Sequence, residues 1–92
     1  MNPGPRRPFE GEHLDLEYPC PWGYRVIGRD DVSLRAGIAT VLGHLEYSVF
    51  EGRTSRRGRY ISLEIEVLVD SEAQRHGLFH ALAAHADIDF VL

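Results

Sequence analysis

Four arginines, Arg53, Arg56, Arg57 and Arg59, crowd into seven residues, with Ser55, Gly58 and Tyr60 in or beside the run. A guanidinium offers a planar fork of N–H donors that matches carboxylates and phosphates two bonds at a time. Gly58 can take a positive φ, which lets neighbouring main-chain N–H groups turn outward and add to an anion cradle. The run is therefore a candidate site for a small anionic ligand or for the acidic surface of a protein partner. The competing reading is a solvated hairpin tip whose charges only keep it soluble, as most charge runs do.

Other residue types suggest less chemistry. His76 and His80 are four apart, with Glu72 one turn earlier, a spacing that zinc sites use. Helical geometry points that line away from Leu78 and Leu82, so it reads as solvated and no metal site is expected. Glu64 and Glu66 are two apart on one wet strand face, whereas carboxylates that share acid and base work need contrasting environments. Cys20 lies between Pro19 and Pro21 and reads as a thiol that packs. No phosphate loop, nucleophile elbow or Cys/His pair is recognisable. The expectation is a domain that is not an enzyme and needs no cofactor.

Whatever the hairpin does, the stretch that follows must hold it. In Tyr60-Ile-Ser-Leu-Glu-Ile-Glu-Val-Leu-Val69, Ile61, Leu63, Ile65, Val67 and Val69 alternate with Ser62, Glu64 and Glu66. Period two with β-branched residues predicts a strand with one buried face and one wet face. A strand over Trp22 to Gly28 and another within Glu46 to Arg53 have the same character. The link through Arg53–Arg59 is short enough to require antiparallel pairing. A helix is predicted from about Val32 to His44, capped by Asp30 or Asp31, with Leu34, Ile38, Val41 and Leu45 as its apolar stripe. Gly37 and Gly43 inside it each cost ~1 kcal/mol against alanine. Ser71-Glu-Ala-Gln74 matches a capping box for a second helix, ending near His85-Ala86. Ile88 to Leu92 closes the chain as a short strand.

The order strand–helix–strand–strand–helix–strand, with one apolar sheet face to cover, leaves one common right-handed solution. That is an α+β, ferredoxin-like βαββαβ sandwich, strand order 4-1-3-2, with both helices on one face of a four-stranded antiparallel sheet. Residues 1–16, rich in proline and glycine, read as a flexible tail, and 17–92 as one domain.

Composition narrows the function classes. Ninety-two residues suffice for a single core. The net charge of −4 weighs against nucleic-acid and membrane-surface partners, although all ten basic residues are arginine. No apolar run approaches the ~20 residues of a membrane span. A single cysteine allows no internal disulfide and fits a reducing, cytoplasmic setting. An RNA-recognition module shares the strand and helix order, but Arg57-Gly58-Arg59-Tyr60-Ile61-Ser62 puts Arg59 and Ile61 where base-stacking aromatics belong, and Glu64 and Glu66 would repel phosphates. Nucleic-acid binding through the arginine loop itself is the alternative that composition leaves open.

Four pieces together resemble the YbeD-like family of small bacterial proteins. They are Tyr18-Pro-Cys-Pro-Trp22 leading into Val26-Ile27-Gly28, Arg53-Thr-Ser55 through Gly58-Arg-Tyr60-Ile-Ser62-Leu63, Ser71-Glu-Ala-Gln74, and Leu82 through His85 to Val91-Leu92. Arg25 stands where the family usually has lysine, and Phe79 where tyrosine is common. That family is similar to ACT regulatory modules, so the resemblance implies a stand-alone ACT-like domain with no assigned reaction. ACT modules place a glycine after an aspartate at the mouth of the first helix, where a bound amino acid approaches the backbone. The corresponding run here, Asp30-Asp31-Val32-Ser33-Leu34, has serine near that place, and its Cβ partly blocks the approach. The expectation is a regulatory or adaptor domain working by protein contact or a small anionic ligand, with homodimerisation through the second strand's edge.

Overall fold

The computed structural model describes residues 16–54 and 57–92. Ser55, Arg56 and nearly all of the stretch read as a tail lie outside the described residues. The elements are β1 (Cys20–Gly28), α1 (Asp31–Leu42), β2 (Tyr47–Thr54), β3 (Ile61–Val69), α2 (Glu72–Ala84) and β4 (Phe90–Val91). The sheet is antiparallel throughout, in the order β2-β3-β1-β4. Read from its other edge this is the expected 4-1-3-2.

β3 organises the sheet by pairing with β1 along its whole length and with β2 on its other side. Leu63, Ile65, Val67 and Val69 are at most 2% exposed, while Glu64, Glu66 and Leu68 face outward. Leu34, Ile38 and Leu42 of α1 and Leu78 and Leu82 of α2 join them in one core with Tyr24, Val26 and Ile88. Both helices thus shelter the same sheet face, and the other face is open.

Local chemistry explains most boundaries, and in three places it differs from the expected ones. β1 begins at Cys20, so Pro21 lies inside a strand. Arg25 and Leu92 exchange both main-chain bonds, at 3.0 and 2.8 Å, which assigns β1's odd-numbered residues to the β4 side. Pro21 shares that side beyond the last β4 residue, where a missing N–H costs no ladder bond. α1 stops at Leu42 because Gly43 takes φ +59 and its N–H caps Ala39. Gly43 is the stop signal, then, and not an interior cost. β4 is two residues long because Ile88 turns into the core, its N–H donating to His85.

The caps follow the sequence. Asp30 accepts from the Ser33 N–H at 2.8 Å, and Ser71 Oγ from the Gln74 N–H at 3.0 Å. The capping box closes one residue early, since Gln74 Oε1 accepts from the Asp70 N–H at 2.6 Å.

Candidate functional site

The β2–β3 hairpin carries the arginines beyond the edge of the core. β2 runs on to Thr54 with a register shift between Glu51 and Thr54. Gly52 fits there because a Cβ would come within 2.8 Å of the Ser62 carbonyl. Gly58 has φ +69, as the turn requires. Arg53, Arg57, Gly58 and Arg59 are exposed. Arg53 and Arg57 form no ion pair among the described residues.

The predicted residues are not gathered into one pocket. Arg57, Gly58 and Arg59 sit at the turn, whereas Arg53 borders a shallow hollow of about 680 Å³ on the open sheet face, with Arg25, Ser62 and Glu64. Arg25 and Glu64 pair across that face at 3.0 Å. Tyr60 belongs to another cluster, its ring 6.4 Å from that of Phe90 and beneath the Arg29 guanidinium at 5.5 Å. Arg29 also reaches Asp89 at 3.5 Å. Ser55 and Arg56 lie outside the described residues.

The open face is not wholly polar. Phe50 and Phe90 are 54% and 57% exposed, and Leu68 adjoins Glu66. Phe50 pairs with Glu64 and Phe90 with Ile27, so both rings share the side that bears Arg25 and Glu64.

At the mouth of α1 the Ser33 N–H is consumed by Asp30, whose carboxyl is held below the usual range by that bond and by the Ser33 side chain. The backbone there is turned to helix capping, leaving one fewer donor for a ligand.

The sequence reading missed Arg75. It is 8% exposed, the one buried charged residue among those described, and it occupies a stripe position with Leu78 and Leu82. An arginine three and seven residues before two core leucines was the available signal. Its Nε donates to the Tyr18 hydroxyl at 3.2 Å, and its guanidinium lies 4.6 Å over the Trp22 ring. Nη2 is buried with no hydrogen-bond partner, and Glu72 Oε2 stands 3.8 Å away, beyond bonding distance. A buried unsatisfied donor costs about 1–3 kcal/mol, more when charged, while a desolvated cation–π contact returns about 2 kcal/mol. Tyr24 donates to the Arg75 carbonyl at 2.5 Å, and burial pushes its phenol up to about 12, against the pull of the Arg75 charge and with a small addition from Tyr18.

Arg75 lines a cavity of about 420 Å³ between β1 and α2, walled also by Trp22, Gly23, Tyr24, Phe79, the two histidines and Leu92. The line His76–His80 is therefore not simply solvated. His76 is half-buried and 3.9 Å from Glu72, and both rings border the cavity. No group of three or more metal-ligating side chains gathers among the described residues. No helix among them is long and apolar enough to cross a membrane. Cys20 is half-buried against the core.

Comparison with known proteins agrees with this fold. A family model described as "Protein of unknown function (DUF493)" matches residues 14–92. The chain is 30% identical over 81 residues to a UPF0250 protein of Hahella chejuensis, spanning 84% of this chain and 89% of that one. It is 34% identical over 71 residues to the uncharacterized protein Cj0253 of Campylobacter jejuni, spanning 77% and 82%. Among solved structures it is similar to HP0495 of Helicobacter pylori, with TM-score 0.73 and 21% identity over 97% and 98% of the two chains. It also overlays the ACT domain of the GTP pyrophosphokinase of Chlorobium tepidum, with TM-score 0.59 and 13% identity over 78% and 94%. At these identities the two structural likenesses speak to fold alone.

Proposed function

The chain belongs to the DUF493 family, with UPF0250 (YbeD-like) relatives and an ACT-like fold, and from that premise we propose that it is a small regulatory or adaptor domain. It acts by contact with a protein partner or by binding a small anionic ligand, with the β2–β3 hairpin as the contact point. One observation carries the reading: both helices lie on one face, which leaves a sheet face bearing Phe50, Phe90 and Arg25 uncovered beside a turn with outward arginines. A one-sided sheet with a basic turn at its rim can receive another surface without rearranging its own core. The role is non-catalytic, in keeping with the scattered positions of Cys20, the histidines and the open-face carboxylates.

The test is thermal-shift screening of the full chain against amino acids, nucleotides and organic acids. The expected result is a saturable stabilisation that Arg57→Ala weakens strongly. A ligand whose effect survives replacement of Arg53, Arg57 and Arg59 together would refute the hairpin as its site. Binding to mixed single-stranded oligonucleotides that falls steeply with salt would instead favour a nucleic-acid partner.

A further inference from the structure

The uncovered side of the sheet carries its side chains in rows that the strand register fixes. One row runs from β2 through β3 and β1 as Phe50, Glu64 and Arg25, and ends on Leu92, which exchanges main-chain bonds with Arg25. The next row toward the hairpin reads Gly52, Ser62, Ile27 and Phe90. Gly52 belongs to it because a Cβ there would meet Ser62 Oγ at 2.7 Å. Phe50, Phe90 and Leu92 are each more than half exposed, so both edges of this face are apolar. Arg25 and Glu64 stand side by side on the two central strands. At the β2 edge the small residues Gly52 and Ser62 leave the hollow of about 680 Å³.

We propose that this face binds a second copy of the chain, face to face, about a two-fold axis parallel to the strands and between β3 and β1. The inference rests on the uncovered face being the receiving surface of the regulatory role, and it names the partner. Such an axis exchanges β3 with β1 and β2 with β4. Arg25 of one copy then lies over Glu64 of the other, and the reverse, so four charges alternate in sign around the axis. Phe50 meets Leu92, and Phe90 enters the hollow over Gly52 and Ser62. Glu66 falls opposite Gly23, whose lack of a side chain leaves that carboxylate room for water. An axis across the strands would keep every strand over its own copy, and Arg25 could never meet Glu64. The charges thus select one orientation, while the apolar side chains supply the attraction. Four strands about 4.8 Å apart make a face only about 20 Å wide, so the dimer belongs at the small end of stable interfaces and exchanges with monomer at micromolar concentrations.

Sedimentation velocity of the full chain, at concentrations through the micromolar range, tests this directly. The expected result is a reversible monomer–dimer equilibrium. Arg25→Glu makes the centre of the face wholly acidic and Glu64→Arg makes it wholly basic, so each variant alone should dimerise roughly tenfold more weakly or worse. Both residues are half exposed in the monomer, and each variant should stay folded. Mixing the two variants in equal amounts should restore a dimer, because each chain then offers the other the opposite charge. An effect confined within one chain could not be rescued by another. Phe50→Ser should weaken association by roughly tenfold through loss of an exposed ring, and Arg57→Ala should leave it unchanged. The proposal is overturned if the chain stays monomeric throughout, if both charge reversals leave a dimer untouched, as pairing through the β2 edge would, or if the mixed variants fail to associate. A monomeric chain that still shows Arg57-dependent stabilisation by a small anion would leave the hairpin reading standing, so the two failures are distinguishable.

Discussion

The Tyr24 hydroxyl donates to the main-chain carbonyl of Arg75 across 2.5 Å, joining the middle of β1 to the first turns of α2, 51 residues later. The bond ties α2 to the sheet at a residue that also borders the cavity between them. Tyr18 and Trp22 hold the same arginine from below. Strand β1 and the segment before it thus position one charged residue through three aromatic side chains.

Replacing Tyr24 by phenylalanine keeps the buried ring and removes that bond. The expected loss is about 1 kcal/mol, read from urea midpoints at neutral pH. The alkaline limb should change too. Burial raises the folded-state phenol from 10.0 to about 12, so the unfolded chain gives up this proton first. The stability tied to the neutral phenol is complete below about pH 10 and disappears as pH rises through about 12. Tyr24→Phe should flatten that limb, and an unchanged slope would show that Tyr24 titrates normally.

Asp30 gives the opposite sign. Its carboxyl is held low by the Ser33 N–H, so the capping contribution is present above the ordinary carboxylate pKa, near about 4, and fades as pH falls through the lower folded value. Asp30→Ala should lower the melting temperature at pH 7 and have little effect at pH 2. Asp30→Asn, which keeps an acceptor, should retain most of the neutral-pH stability while losing the acid dependence.

Three glycines should respond differently to alanine. At Gly77, exposed on α2, a Cβ meets nothing within 4 Å, so Gly77→Ala should stabilise by about 0.5–1 kcal/mol. At Gly37 a Cβ would approach the His85 ring at 3.0 Å, and the propensity gain should be largely offset. At Gly52 the obstacle is the Ser62 backbone, which cannot rotate away, and alanine should destabilise. Chemical denaturation that ranked these changes in any other order would contradict the packing described.

Leu34 and Leu82 are both fully buried, one from each helix, on the same sheet face. Alanine at either should cost about 2–5 kcal/mol, a large part of the ~5–15 kcal/mol available to a small domain. A loss below about 1 kcal/mol at one site would mean that its helix does not cover the sheet. By contrast, Arg25→Ala should cost under about 1 kcal/mol, because both partners of its ion pair with Glu64 are half exposed.

The alternation of Ile61 to Val69, the stripe read at Leu34, Ile38, Val41 and Leu45, and the Ser71 and Asp30 caps are local patterns; the structure buries Leu34, Ile38 and Leu42 and leaves Val41 and Leu45 only partly covered. Each depends on residues a few positions apart, so the sequence alone established the βαββαβ order, the covered face and the positive φ at Gly58. The course of the hairpin arginines was legible only as a cluster; their division between the turn and the hollow beside Arg53 needed the bulge after Glu51. Arg75 was hidden for a stronger reason. Its meaning comes from Tyr18, Trp22 and Tyr24, more than fifty residues away in the chain. Spacing along one helix reports which face is buried, but only the docking of that helix on a particular strand decides what a buried charge meets there.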